Sequence, residues 1–148
     1  MIVVDRVYTV DCAKHYVEPL LAAHYEELCT DKSMVLSPDW GKYNALYDSD
    51  SLVMQFVFDG NLCVGYSICF LSPHAHYKDT TIAWNDLLFL HKDYRGGSAG
   101  SRLMKATVLA CKEAGATKLL WHAKPGTTLD AVLAKREKLF EKVYAQAL

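Results

Sequence analysis

Two β-rich runs, residues 52–58 and 62–71, are separated only by Asp59-Gly60-Asn61. An Asp-Gly step between such runs specifies an antiparallel hairpin, because the left-handed backbone of a tight turn falls to residues that tolerate it. A third β-rich run, residues 81–91, follows a turn rich in Pro and His, so three antiparallel strands are predicted in the middle of the chain. Alternation places Leu62, Val64, Tyr66 and Ile68 on one face and Cys63, Cys69 and Leu71 on the other. A sheet that is apolar on both faces must be covered on both, so it sits inside a layered structure.

The flanks contain the remaining elements. Residues 2–10 read as a strand, after which Asp11 can cap a helix whose Val17, Leu20, Leu21, His24 and Leu28 recur at three- and four-residue steps. Residues 30–51 mix Asp, Ser, Pro, Gly and Asn with Trp40, Tyr43, Leu46 and Tyr47, which reads as an irregular connection with a short helical turn. A loop of that length bearing aromatics is usually functional. After the turn at residues 92–100, Leu103, Met104, Thr107, Val108 and Cys111 form a helical stripe that stops at Gly115. Residues 118–124 read as a strand closed by Pro125-Gly126, Thr127 or Thr128 as the cap of a short helix, and residues 139–148 as a last strand. The order is β-α-β-β-β-α-β-α-β, an α/β chain with no repeat or linker, and 148 residues suit one domain, 1–148.

Charge and cysteines exclude some classes of function. A net charge of −1 provides no global field to hold a nucleic-acid backbone or an anionic membrane. The apolar start carries Asp5 and Arg6 rather than a basic leader, and no window reaches a membrane-spanning length. Cys12, Cys29, Cys63, Cys69 and Cys111 form no CxxC pair and lie in apolar segments, so reduced thiols and a cytoplasmic location are expected. His74, His76 and His91 lack the spacing of a zinc site, and no metal is expected.

The stretch with most chemical content runs from Asp86 to Met104, where a strand enters the glycine-rich turn Arg95-Gly96-Gly97-Ser98-Ala99-Gly100 and a helix begins. A helix N-terminus offers unpaired N–H groups and partial positive charge, and glycines let a phosphate approach them. A P-loop would need Gly-Lys followed by Ser or Thr, but Gly100 is followed by Ser101-Arg102. The dinucleotide fingerprint GxGxxG is also absent, and the turn follows a middle strand rather than the first.

The turn resembles the acyl-CoA site of the GNAT N-acetyltransferases, whose signature is Arg or Gln, two residues, Gly, one residue, then Gly or Ala. Asp-Tyr-Arg-Gly and the Leu103-Met104 pair also match, and the element order is similar from first strand to sixth. The resemblance implies a layered α+β fold with a mixed, mostly antiparallel central sheet flanked by helices. It further implies transfer of acetyl from acetyl-CoA to a primary amine by direct attack in a ternary complex. Arg95, Gly96, Gly97, Ser98, Ala99, Gly100 and Ser101 would contact the pyrophosphate, while Leu88, Phe89 and Leu90 would offer backbone groups to the pantetheine arm. Ser98 stands where the family has its first glycine, and its β-carbon would crowd the pyrophosphate unless Gly97 supplies the lost freedom. The alternative is a non-catalytic GNAT-like binding module or virion component.

Attack of an amine on a thioester needs a base, a polarised carbonyl and a proton for the departing sulfur. Strand alternation puts Asp86 on the face of Trp84 and Leu88, where similar enzymes carry a carboxylate that works through water; otherwise Asp86 binds substrate or pairs with a cation. His122, on the neighbouring strand, is the rival base or an acid, or else a hydrogen-bonded core histidine. The tyrosine that many relatives carry on the last helix as the acid has no counterpart in residues 129–140, and the role does not transfer to Tyr144. Trp40, Tyr43, Tyr47 and Trp84 are candidate walls for the acceptor, a small-molecule amine or a protein lysine or N-terminus. Many relatives continue with a seventh strand, so an open sheet edge and a homodimer are expected. The compact size and the Tyr-Arg-Gly spacing also resemble short members encoded by tailed phages, which implies a host cytoplasm.

Overall fold

The hairpin at Asp59-Gly60-Asn61 forms in the computed structural model, which describes residues 1–148. Strands β2 (Leu52–Asp59) and β3 (Leu62–His74) pair antiparallel, and Gly60 takes the left-handed φ of 59° that the turn needs. Strand β4 (Tyr77–Leu90) pairs antiparallel with β3 and is longer than its β-rich run, so the Pro-His turn shrinks to the two residues between His74 and Tyr77. Strand β1 (Ile2–Arg6) lies antiparallel to β2, and β5 (Lys118–Leu120) lies parallel to β4. The result is a mixed five-stranded sheet in the order β1-β2-β3-β4-β5.

Beside an irregularity at Pro73/His74 near the β3–β4 turn, two β-bulges break the alternation. Pairing passes from Phe58↔Cys63 to Val57↔Gly65, leaving Val64 extra, and from Ile68↔Leu87 to Cys69↔Asn85, leaving Asp86 extra. The first bulge corrects the expected faces: Val64 packs with Val57, Ala99 and Leu103, whereas Cys63 joins Tyr66 and Ile68 on the opposite side. Leu62, beside the turn, is 61% exposed. Gly65 sits where the bulge brings β3 against β4, and a Cβ there would lie 2.7 Å from the Phe89 carbonyl oxygen and 2.9 Å from Leu90 Cδ1. Gly65→Ala is therefore expected to cost about 2 kcal/mol of stability in urea unfolding at unchanged m-value. Equal midpoints would show that the strands part freely.

Helix α1 (Val10–Leu28) starts two residues earlier than expected, because the Thr9 side chain, not Asp11, caps it by accepting from the Cys12 N–H at 3.2 Å. Helix α2 (Trp40–Asp48), capped by Asp39 at 2.9 Å from the Lys42 nitrogen, replaces the short turn expected there. Both cover one face of the sheet, where Val10, Ala13 and Val17 meet Phe56, Tyr66 and Ile68, with Trp40 and Tyr43 packed against them. Helix α3 (Ala99–Glu113) covers the other face through Leu103, Ala110 and Cys111, and Gly115 ends it at φ 92°. Helix α4 (Thr128–Arg136) is capped by Thr127 and buries no residue.

The last strand does not form: residues 137–148 contain no helix or strand, and Leu139, Val143 and Tyr144 are exposed. In a strand Leu139 and Val143 would share one face and Phe140 and Tyr144 the other, but none of the five strands of the sheet pairs with this segment. Strand β5 likewise ends at Leu120, short of the expected 124. No helix is long and apolar enough to cross a membrane.

Candidate active site at the free edge of the fourth strand

Strands β4 and β5 pair only at Ile82↔Lys118, Ala83↔Leu119 and Trp84↔Leu120, and then part. Beyond Trp84, β4 continues to Leu90 with no strand on that side. The His91 N–H donates to the Val64 carbonyl at 2.8 Å, towards β3, so alternation turns the backbone groups of Leu88 and Leu90 to the free edge and those of Phe89 into the β3 ladder. The Leu90 carbonyl accepts from Arg95 Nε at 2.7 Å, which leaves Leu88 as the open backbone pair.

Asp86 is the extra residue of the second bulge. It shares a face with Trp84, as expected, but not with Leu88: the bulge sends Leu88 to the α3 side and puts Leu87 in its place. The Asp86 carboxylate accepts from Tyr43 Oη at 3.3 Å, and the Tyr43 ring is held by Trp40 at 5.3 Å and Phe70 at 5.7 Å. Asp86 is exposed as a residue. Protein packed round its carboxylate nevertheless strips enough water to raise its pKa, against the lowering effects of the Tyr43 hydrogen bond and the nearby charges of Lys42 and His122. Burial, and then the charge of Asp86, pushes the Tyr43 phenol well above its ordinary range, so Tyr43 stays a neutral donor.

Asn85, absent from the sequence expectations, is buried on the opposite face. Its Nδ2 lies 3.1 Å from Ser67 Oγ, 3.4 Å from the Ile68 carbonyl and 3.1 Å from the Leu87 carbonyl, so a side-chain amide serves the acceptors around the break in the ladder. Only the register reveals it, since no local pattern marks a bulge.

The glycine turn is tied at its N-terminal end. Tyr94 Oη donates to Asp59 at 3.3 Å, while the Arg95 guanidinium forks onto Glu27 in the last turn of α1, at 2.8 Å from Nη2 and 2.7 Å from Nη1. Arg95 thus anchors the turn to α1 and β4, and its charge faces Glu27. Gly96 takes the left-handed φ of 84°, whereas Ser98 sits at φ −85°. The freedom expected of Gly97 is supplied by Gly96, and a serine at 98 strains nothing. Ser98 is the N-cap residue of α3 but makes no side-chain cap bond. The N–H groups of Gly96, Gly97 and Ser98 donate to no group of the protein. Those of Ala99, Gly100 and Ser101 precede the first helical bond, from Arg102 to the Ser98 carbonyl at 2.9 Å. Six consecutive amides with no cap are donors suited to a diphosphate.

Residues 15–135 match the model of the acetyltransferase (GNAT) family. The chain belongs to that family. Its fold is that of an aminoglycoside acetyltransferase from an uncultured soil metagenomic sample, solved with sisomicin, at a TM-score of 0.75 and 15% identity over 99% of this chain and 95% of that one. Ribosomal-protein-alanine N-acetyltransferase from Brucella melitensis biovar Abortus 2308 matches at 0.72 and 17% identity over 100% and 99%. AAC(6')-Iy, solved with the bisubstrate analogue CoA-S-monomethyl-acetylneamine, matches at 0.70 and 11% over 100% and 98%. No curated protein sequence matches the chain. GNAT acetyltransferases use acetyl-CoA, and the uncapped amides of the turn fit its pyrophosphate.

In this GNAT chain Trp40 and Tyr43 come together beside Asp86, while Tyr47, one turn on, is 40% exposed and stands apart from them. Trp84 is half-buried, with the ring of His122 at 6.1 Å; His122 itself is exposed, two residues beyond β5 rather than on it.

His24, read in the sequence as one more apolar position of α1, is a buried polar group. Its Nδ1 lies 2.8 Å from Tyr66 Oη and its ring stacks on Phe89 at 4.8 Å. Burial lowers its pKa from 6.5 to about 4. The unfolded chain takes up this proton as pH falls through 6.5 while the folded chain resists until about 4, so the stability is fully present above pH 6.5 and falls by about 3 kcal/mol on reaching pH 4. Urea unfolding from pH 7 to 4 is expected to show that extra slope in the parent and not in His24→Phe. Equal slopes would exclude His24 as the source.

Proposed function

We propose that this GNAT chain transfers the acetyl group of acetyl-CoA to a primary amine by direct attack within a ternary complex. The observation that carries the reading is the Asp86–Tyr43 pair beside a strand edge whose far end leads into the uncapped amides at residues 96–101. Bound acetyl-CoA supplies an acetyl group activated as a thioester. The amides from Gly96 to Ser101 hold its pyrophosphate, Arg95 holds the turn that presents them, and the outward N–H and C=O of Leu88 hold the amide-bearing arm in the manner of an added strand.

Asp86 is the base on this reading. It has raised basicity and a fixed orientation from Tyr43, whereas His122 stands exposed against Trp84. The amine nitrogen bonds the acetyl carbon as the carbon–sulfur bond breaks, one ammonium proton going to Asp86 and the second to the departing sulfur. Five free cysteines suit a reducing cytoplasm. The three-residue β5 leaves a sheet edge that a second copy can cover, the arrangement of a homodimer.

Calorimetric titration with acetyl-CoA tests the reading. Saturable binding is expected, together with acetylation of an added amine seen by mass spectrometry. The absence of both would leave a GNAT fold used for contact alone.

A further inference from the structure

Between α1, α2 and the sheet lies a cavity of about 310 Å³, walled by Val17, Leu21, Leu36, Trp40, Ile68 and Leu87 among others. Of its 13 lining residues 11 are hydrophobic, and none carries a charge, so an occupant meets no ionic partner along the walls. The polar groups there are largely taken. The Tyr25 hydroxyl donates to the Met34 carbonyl at 2.7 Å, the Cys29 thiol to the Asp31 carbonyl at 3.1 Å, and the Tyr43 hydroxyl to Asp86. The cavity lip on the α1–α2 connection is also apolar, with Met34 at 61% and Val35 at 86% exposure.

Asp86 adjoins this space, bonded to the Tyr43 that lines it and next in sequence to Leu87, which lines it too, whereas Asp39, between the lining residues Pro38 and Trp40, is taken up by the Lys42 N–H at 2.9 Å as the cap of α2. An aminosugar with several ammonium groups needs several carboxylates, and a basic peptide needs polar partners for its backbone and charges. The walls supply neither. The volume also stands at the small end of ligand pockets, which run from roughly 300 to 1,000 Å³.

Building on the acetyltransferase reading, we infer that the acceptor is a small monoamine with a hydrophobic body, an arylalkyl or alkyl primary amine. Its apolar part fills the cavity under the α1–α2 connection and its single ammonium faces Asp86.

The test compares phenethylamine and hexylamine with sisomicin and a lysine-containing basic peptide as acceptors at saturating acetyl-CoA. Phenethylamine is also titrated directly by calorimetry in the presence of CoA. The expected result is kcat/KM at least about 100-fold higher for the two apolar amines, together with saturable phenethylamine binding. Leu36→Lys places a like charge at the lip, and Leu36 is 42% exposed, so the fold survives it. It should raise KM for phenethylamine at least about tenfold with acetyl-CoA affinity unchanged. Equal or greater kcat/KM for sisomicin or the peptide overturns the inference and leaves the acetyltransferase reading standing. So does binding of acetyl-CoA with no binding of phenethylamine. Failure of acetyl-CoA itself to bind removes the reading beneath it.

Discussion

Gly100→Trp is expected to abolish measurable acetyl-CoA binding, raising the dissociation constant by at least about 100-fold, or about 2.7 kcal/mol. The argument separates fold from site. A Cβ at Gly100 would make one ordinary contact, 3.7 Å to Leu90 Cδ2, so the helix start accepts a side chain without displacing backbone. The indole would then lie across the amides from Gly96 to Ser101 that have no partner within the protein, and a diphosphate could no longer approach them. Thermal unfolding checks that the variant is folded, and calorimetry reads the affinity. A folded variant with parental affinity would show that the turn only starts a helix.

Asp86→Asn is expected to lower kcat by about 1,000-fold with acetyl-CoA affinity unchanged, within the roughly 10²–10⁴ that a positioned proton acceptor contributes. Asparagine keeps an oxygen for the Tyr43 hydroxyl, so the bulge and its aromatic wall retain their geometry and only basicity is lost. The pH dependence gives an independent reading. Burial raises the Asp86 pKa, and the base acts as the carboxylate. The parental kcat should therefore fall with decreasing pH earlier than an ordinary carboxylate would dictate, and the residual rate of the variant should be flat across that range. Retained activity in Asp86→Asn beside loss in His122→Asn would transfer the role to His122, the exposed neighbour of Trp84.

Local chemistry made much of this protein legible. Asp59-Gly60-Asn61, the stop at Gly115 and the Thr127 cap depend on a few adjacent residues whose backbone preferences hold in any context. The same is true of the glycine turn. Glycines that open a helix leave uncapped amides wherever the helix forms, so the family resemblance rested in part on a segment whose chemistry is local. Trp40 and Tyr43 were identifiable as aromatics in a long connection, though not their union with Asp86.

Long-range pairing decided the remainder. A bulge exists only relative to a partner strand, so nothing near Val64 or Asp86 announces that alternation reverses there, yet the reversal exchanges Leu87 for Leu88 beside the proposed base. The family resemblance implies a pyrophosphate contact for Arg95, and no neighbour in the chain reveals a competing partner. Glu27, 68 residues away, takes its guanidinium once α1 packs on the sheet. Residues 139–148 carry enough apolar side chains for a strand, but a strand requires an edge in register with it, and composition cannot supply one. Sequence by itself thus determined the family, the hairpin and the glycine turn that opens α3, because each is encoded by neighbours in the chain. Tertiary structure alone determined which carboxylate is desolvated, which arginine is already paired and which cavity adjoins the proposed base, because those properties belong to residues that meet only after the sheet has closed.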